Sequence, residues 1–134
     1  MSKAFFILLI SSLAFLSCDP PHYIQFENES DSEVKVTLLA DPETENYDFY
    51  EFQNLRIGDS VILRIKPKES DMLHFGIGTW SNSEIEELTN SLQKIIIENE
   101  DFFRVYRTKK GMNTLLNHDK RGFWWKTEIN IRIE

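Results

Sequence analysis

From Phe123 to Glu134 the chain alternates without interruption. Phe123, Trp125, Thr127, Ile129, Ile131 and Ile133 share one face, and Trp124, Lys126, Glu128, Asn130, Arg132 and Glu134 share the other. A period of two held over this length excludes a helix and predicts a half-buried antiparallel strand. Such a strand needs partners and a core to cover its apolar face. The 134 residues suffice for one domain, and 13% aromatic residues supply the bulk to fill its interior, which excludes a disordered tail.

Shorter pieces of the same kind precede it. Tyr23–Phe26 alternates, Glu27–Ser32 is a turn-type cluster, and Glu33–Leu38 alternates again with Val34, Val36 and Leu38 on one face. That pattern predicts a hairpin or a sandwich corner. Tyr47–Phe52 is a weaker strand candidate. Gly58–Ser60 turns the chain into Val61–Lys66, where Val61, Leu63 and Ile65 face inward until Pro67, lacking an N–H to donate, ends the ladder. Leu73, Phe75 and Ile77 form another inward face, and Phe102–Arg107 another strand. Between them the period changes: Ile85, Leu88, Leu92, Ile95 and Ile96 follow helical spacing and predict one amphipathic helix over about residues 81–98. Ser81 caps it, with Glu84 closing a capping box and Trp80 set against Ile85 as a staple. Ser83 with Glu86 is a competing box. Thr108 caps a short second helix to about Asn117, and Lys120-Arg121-Gly122 is the turn into the terminal strand. Six or seven short strands with an inserted helix predict a mainly β (α+β) chain, an antiparallel β-sandwich-like domain over residues 23–134.

The N-terminal segment has another character. Lys3 is the only cationic residue before Lys35, residues 4–16 are apolar apart from two serines, and Ser17-Cys18 precedes a polar Asp19-Pro20-Pro21. A basic start, a short apolar stretch and a small residue at the cut describe a secretory signal peptide over residues 1–17, too short for a span of about 20 residues. Phe15-Leu16-Ser17-Cys18 resembles the lipobox of bacterial lipoproteins. That resemblance implies cleavage before Cys18, acylation of its thiol and a short tether over residues 18–22. Phe15 and Leu16 depart from the commonest form of the motif. Anchoring by two or three acyl chains is stable, at about 0.8 kcal/mol per buried CH2. The body is also similar to small lipoproteins of unknown function from Gram-negative bacteria. The counterparts are Asn28 to Asp31, Asp71-Met72-Leu73-His74-Phe75, the helix from Ser81, Arg104-Val105-Tyr106, Leu115-Leu116, and Trp125 with Ile129. That resemblance implies a lipoprotein domain and carries no activity with it.

Catalytic and cofactor motifs are not visible. Gly76-Ile77-Gly78-Thr79-Trp80-Ser81 lacks the third glycine of a dinucleotide fingerprint and reads as a bend that lets Trp80 pack under the helix. Asp41 to Asp48 spaces carboxylates as a calcium loop does, but Asn46 stands at the required glycine and Phe52 at the bidentate glutamate, so a solvated acidic loop is expected. His22, His74 and His118 are far apart in sequence, and no metal site and no cofactor are expected. No GxSxG elbow is present and the one cysteine is assigned to the anchor, so nucleophilic hydrolysis has no visible candidate.

Charge argues against nucleic acid as a partner and against attraction to anionic lipid: the chain carries 15 basic and 22 acidic residues, a net of -7. The distribution is uneven, with 6 basic and 18 acidic residues over 19–100 against 8 basic and 4 acidic over 101–134. Either the basic tail compensates the acidic body internally, or it forms a patch for an acidic partner. The alternation exposes Trp124 beside Lys126 and Arg132, and these three are the expected partner contact; burial of Trp124 under a neighbouring element is the alternative. The expected function is a non-enzymatic binding or accessory role for a lipid-anchored protein of the bacterial envelope. Its partners would be the membrane, through Cys18, and an envelope protein or polysaccharide, at the periplasmic face or the cell surface, with the outer membrane favoured. The alternatives are a structural subunit exchanging its C-terminal strand, or a cell-wall-directed enzyme or inhibitor.

Overall fold

The computed structural model describes residues 20–43, 56–122 and 125–134. Within them lie nine strands and two helices: β1 (Pro21–Asn28), β2 (Val34–Ala40), β3 (Arg56–Ile57), β4 (Ser60–Ile65), β5 (Ser70–Ile77), α1 (Asn82–Ser91), β6 (Leu92–Glu98), β7 (Phe103–Tyr106), α2 (Lys109–Asn117), β8 (Lys120–Arg121) and β9 (Glu128–Ile133). Two sheets form, ordered β5-β1-β9-β8 and β3-β4-β2-β6-β7, and pack together as the mainly β, sandwich-like α+β fold that the alternation predicts. Alternate residues of both sheets meet between the layers: Ile24, Phe26, Leu73, Ile129, Ile131 and Ile133 from one, Val34, Val36, Leu38, Val61, Leu63, Ile65, Ile95 and Ile97 from the other. Each such buried side chain contributes roughly 1.5–3 kcal/mol of transfer free energy. The helices pack on each other, α1 also touching β6 and α2 touching β9, so that Ile85, Leu88, Met112 and Leu116 extend the same core.

The Glu27–Ser32 cluster is a sandwich corner, since β1 and β2 lie in different sheets. Asn28, at its start, is buried and ties the corner together. Its Nδ2 donates to the carbonyls of Ser32, Ile65 and Lys66 at 2.8, 3.0 and 3.1 Å. Its Oδ1 accepts from the Ser30 N–H and hydroxyl. One side chain thereby joins the end of β1 to the end of β4 in the opposite sheet.

Four sequence expectations are corrected. The helix does not run to residue 98: α1 stops at Ser91, and Leu92–Glu98 is the strand between β2 and β7. Leu92 and Ile95 keep the helical spacing of three, and both are buried in the strand because its pairing shifts register opposite Leu39 and Ala40. The β-branched run Ile95-Ile96-Ile97 favours a strand, and the hydroxyls of Thr89 and Ser91 donate back to the carbonyls of Glu86 and Leu88 in the last helical turn.

The terminal strand begins only at Glu128, and its longest partner, β1, runs parallel to it, with Ile24 opposite Ile129 and Phe26 opposite Ile131. Alternation reports which face is buried and not the direction of the neighbour, and a connection as long as the domain removes the hairpin constraint. Trp125 therefore lies before the strand and is 61% exposed instead of inward.

Ile77 is also outward, at 70% exposure. Pro21 pairs with Ile77 but Tyr23 pairs with His74, so Phe75 and Gly76 stand opposite His22 alone. This bulge, with Gly76 at φ 82°, reverses the faces beyond it. Finally, β1 begins at Pro21 and His22 is buried, so these two residues belong to the fold and not to a tether. The Tyr47–Phe52 segment lies outside the described residues.

Both predicted caps are present. Ser81 accepts from the Glu84 N–H while Glu84 reaches back to the Ser81 N–H, and Thr108 accepts from the Gly111 N–H. The last turn of α1 has no basic residue of its own. Lys109, from the first turn of α2, supplies one: its Nζ donates to the carbonyls of Thr89, Asn90 and Leu92 at 2.8–3.0 Å. A cation there satisfies orphan carbonyls and opposes the helix dipole. Lys109→Met is expected to lower stability by about 1 kcal/mol in urea unfolding, with α1 losing hydrogen-exchange protection first.

Candidate functional site

Of the three residues expected to form one contact, Lys126 and Arg132 lie among the described residues, and they stand apart. Trp124 lies outside the described residues, as does Cys18. Lys126 precedes β9 and is exposed, while Arg132 stands near the other end of that strand, whose six residues cover roughly 20 Å. Arg132 is engaged locally, its Nε lying 3.7 Å from Glu27 and 4.0 Å from Glu29 of β1 and the corner.

Lys126 belongs instead to the end of the molecule where the described chain begins. The Gly78 N–H donates to the Pro20 carbonyl at 3.0 Å, and the Trp80 N–H donates to the Lys126 carbonyl. The Tyr23 N–H donates to the Thr127 carbonyl at 3.0 Å, and the Thr127 N–H to the Arg121 carbonyl at 3.0 Å. Pro20, the β5–α1 bend and the 121–127 connection are thus fastened to one another. The bend behaves as the sequence predicts: Trp80 is 1% exposed, its Nε1 donates to the Tyr23 carbonyl at 3.0 Å, and its ring meets those of His22 and Phe75 edge-on. Gly78 packs beside the His22 ring, and its φ of 154° is a conformation that L side chains rarely adopt. Gly122, at φ 144°, lies so close to the Trp125 carbonyl that no side chain fits there.

A second feature lies beside α2. A cleft of about 320 Å³ is lined by Leu115, His118, Asp119, Asn130, Ile131, Arg132 and Glu134. Asn130 is 4% exposed; its Nδ2 donates to Glu27 at 3.3 Å, and its Oδ1 has no hydrogen-bond partner. Arg121 clamps Asp119 through two hydrogen bonds of 2.7 and 3.2 Å and holds its carboxyl below the usual carboxylate range. At the same sheet, burial first and Glu128 second push the Tyr23 phenol above its ordinary value. The cleft offers hydrogen-bonding groups and two apolar side chains, with no nucleophile–base pair. The alternation places Asn130 outward with its neighbours, and nothing in the sequence marks it as buried; the loop after α2, whose Asp119 carbonyl accepts the Asn130 N–H, covers it.

Of the tail's basic groups, Arg132 reaches body carboxylates, Lys109 caps α1, Lys120 donates to Asn82 at 3.1 Å and Arg104 lies 4.7 Å over the Phe102 ring. Arg107, Lys110 and Lys126 make no ion pair among the described residues. The described residues contain no group of three or more His, Cys, Asp or Glu side chains placed to hold a metal ion, and no helix among them is long and apolar enough to cross a membrane. No known protein family, curated protein or solved structure matches the chain.

Proposed function

We propose that this chain is a non-enzymatic, acyl-anchored lipoprotein of the bacterial envelope, whose β-sandwich presents a binding surface to another envelope component. The observation that carries the reading is the position of the chain's one cysteine. Cys18 follows a basic start and an apolar stretch in lipobox-like context, and it stands two residues before Pro20, where the fold takes hold of the backbone. Cleavage before Cys18 removes residues 1–17 and keeps every described residue, the first of which is Pro20. The mature chain then carries 14 basic and 22 acidic residues, a net of -8. The partner surface includes Trp124, and envelope protein or polysaccharide is the class of partner.

The test is fractionation of cells grown with radiolabelled palmitate. The wild-type chain is expected in the membrane fraction carrying label, and Cys18→Ser is expected to lose both label and sedimentation with membranes. Equal partitioning of the two would overturn the anchor. For the partner surface, Trp124→Ala should change the set of proteins or glycans recovered by crosslinking in intact cells; an unchanged set would remove Trp124 from it.

A further inference from the structure

We infer that the end of the sandwich formed by Pro20, Ile77 and Trp125–Lys126 is a lipid-contacting surface, which seats the anchored domain on the bilayer in one orientation. The inference rests on the acyl anchor proposed above and adds what the folded part does once it is held there.

Three observations converge. The first is reach: from Cys18 to Pro20 the chain extends at most about 7 Å, so the end bearing Pro20 cannot leave the headgroup region while Cys18 is acylated. The second is apolar exposure at that end. Ile77 is 70% exposed and pairs with Pro21, the first residue of β1. Trp125, 61% exposed, immediately precedes Lys126, whose carbonyl accepts from the Trp80 N–H three residues beyond Ile77. The strands these residues flank are β5 and β9, two positions apart in the sheet and therefore roughly 10 Å apart. Trp125 directly precedes Lys126, and an aromatic ring beside a lysine suits the boundary between acyl chains and headgroups.

The third is charge. Lys126 and Lys120 make no ion pair with a carboxylate among the described residues and lie at the same end as Ile77, since β8 pairs with the start of β9. Glu84, beside Gly78, and Glu128, bonded to Tyr23, stand at this end as well, and the corresponding end of the other sheet is mixed, with Asp41, Glu43 and Asp59 near Lys94 and Lys109. Although the chain as a whole is acidic, Lys120 and Lys126 place two cations beside Ile77 and Trp125, each contributing about 1 kcal/mol near an anionic surface. The domain therefore tilts onto the edge carrying Ile77, Trp125 and Lys126.

Because acylation consumes the one native thiol, an introduced cysteine can be labelled alone. Ile77→Cys and, as the remote control, Phe103→Cys would be made in the full chain. Phe103 is 63% exposed, and its pairing through Glu98 and Lys35 places it at the opposite end of the sandwich. Each would carry an environment-sensitive fluorophore, be purified from membranes with Cys18 acylation verified by peptide mass, and be reconstituted into phosphatidylethanolamine–phosphatidylglycerol vesicles. The probe at position 77 is expected to shift to the blue and be quenched by brominated lipid, the probe at 103 to do neither, and Trp125→Ser to reduce the response at 77. Equal, water-like signals at 77 and 103 in chains with acylated Cys18 would overturn the orientation and leave the anchor standing. An unmodified Cys18 would instead overturn the anchor and take this inference with it.

Discussion

Replacing Trp80 with alanine is expected to lower the stability of the domain by about 3–5 kcal/mol, the usual range for removing a buried tryptophan. A domain of this size has about 5–15 kcal/mol to lose, so a large part of the protein would be unfolded under mild denaturant. The cost has three sources. The indole is fully enclosed, so its removal leaves a cavity between α1 and the end of the β5-β1-β9-β8 sheet. The Tyr23 carbonyl loses the Nε1 donor at 3.0 Å. The edge-on ring contacts with His22 and Phe75, at centroid distances of 4.6 and 5.1 Å, also disappear. Trp80→Phe keeps most of the apolar volume and one ring, and should cost less, about 1–3 kcal/mol, chiefly for the unpaired carbonyl and the smaller ring. Urea unfolding followed by circular dichroism separates the two. A Trp80→Ala protein as stable as wild type would show that the bend does not fasten α1 to the sheet.

Asn28→Asp is the second change with a large expected effect, and its sign depends on pH. Nδ2 faces three carbonyl oxygens, and the side chain is 1% exposed. A carboxylate there replaces a donor by a buried charge against three acceptors, a loss of about 3 kcal/mol or more at neutral pH. Protonation restores one O–H donor and removes the charge, so the folded state holds the proton more tightly than the unfolded chain and the introduced carboxyl has a raised pKa. The penalty is therefore full above that raised value and shrinks as pH falls through it toward about 4, the value of an unfolded aspartate. Urea midpoints at pH 7 and pH 5 should converge on wild type at the lower pH for Asn28→Asp. Asn28→Ala loses the same donors without gaining a charge and should show a pH-independent loss relative to wild type. An Asn28→Asp protein with wild-type stability at pH 7 would contradict the bond network.

These two residues also show what the sequence makes legible. The glycine-flanked Trp80 beside a capping box announces both the bend and the helix start, because each signal is local and chemical. The same holds for Thr108 and for the Val61, Leu63, Ile65 face, whose register is fixed by burial of every second residue. Asn28 looks like an ordinary turn residue, since its partners Ile65 and Lys66 are 37 and 38 positions away and belong to the other sheet. The end of α1 is obscured because Leu92 and Ile95 keep helical spacing, both being buried in β6 only through the register shift opposite Leu39 and Ala40. The direction of β9 is invisible, because the pattern of a strand does not record which neighbour pairs with it. Ile77 and Trp125 fail as inward residues for one shared reason. Each lies just past the regular ladder, beyond the Gly76 bulge or before Glu128, where alternation no longer fixes the face.

The candidate site divides in the same way. The lipobox resemblance is local, and it carries the proposal about Cys18. The grouping of Trp124, Lys126 and Arg132 relied on a continuous alternating strand; β9 begins after Lys126, and Arg132 lies toward its opposite end, bridged to Glu27. What the fold adds in its place is proximity: Lys126, Trp125 and Ile77 come together at the end where Pro20 is held, although 48 positions separate Ile77 from Trp125 in the sequence.

The most direct measurement is the mass of the N-terminal peptide of the protein isolated from membranes of its native host. The acyl anchor requires a chain that starts at Cys18 and carries a diacylglyceryl thioether, with or without a third acyl chain on the new amino group. A chain that retains residues 1–17, or one cut elsewhere with Cys18 as a free thiol, would contradict it.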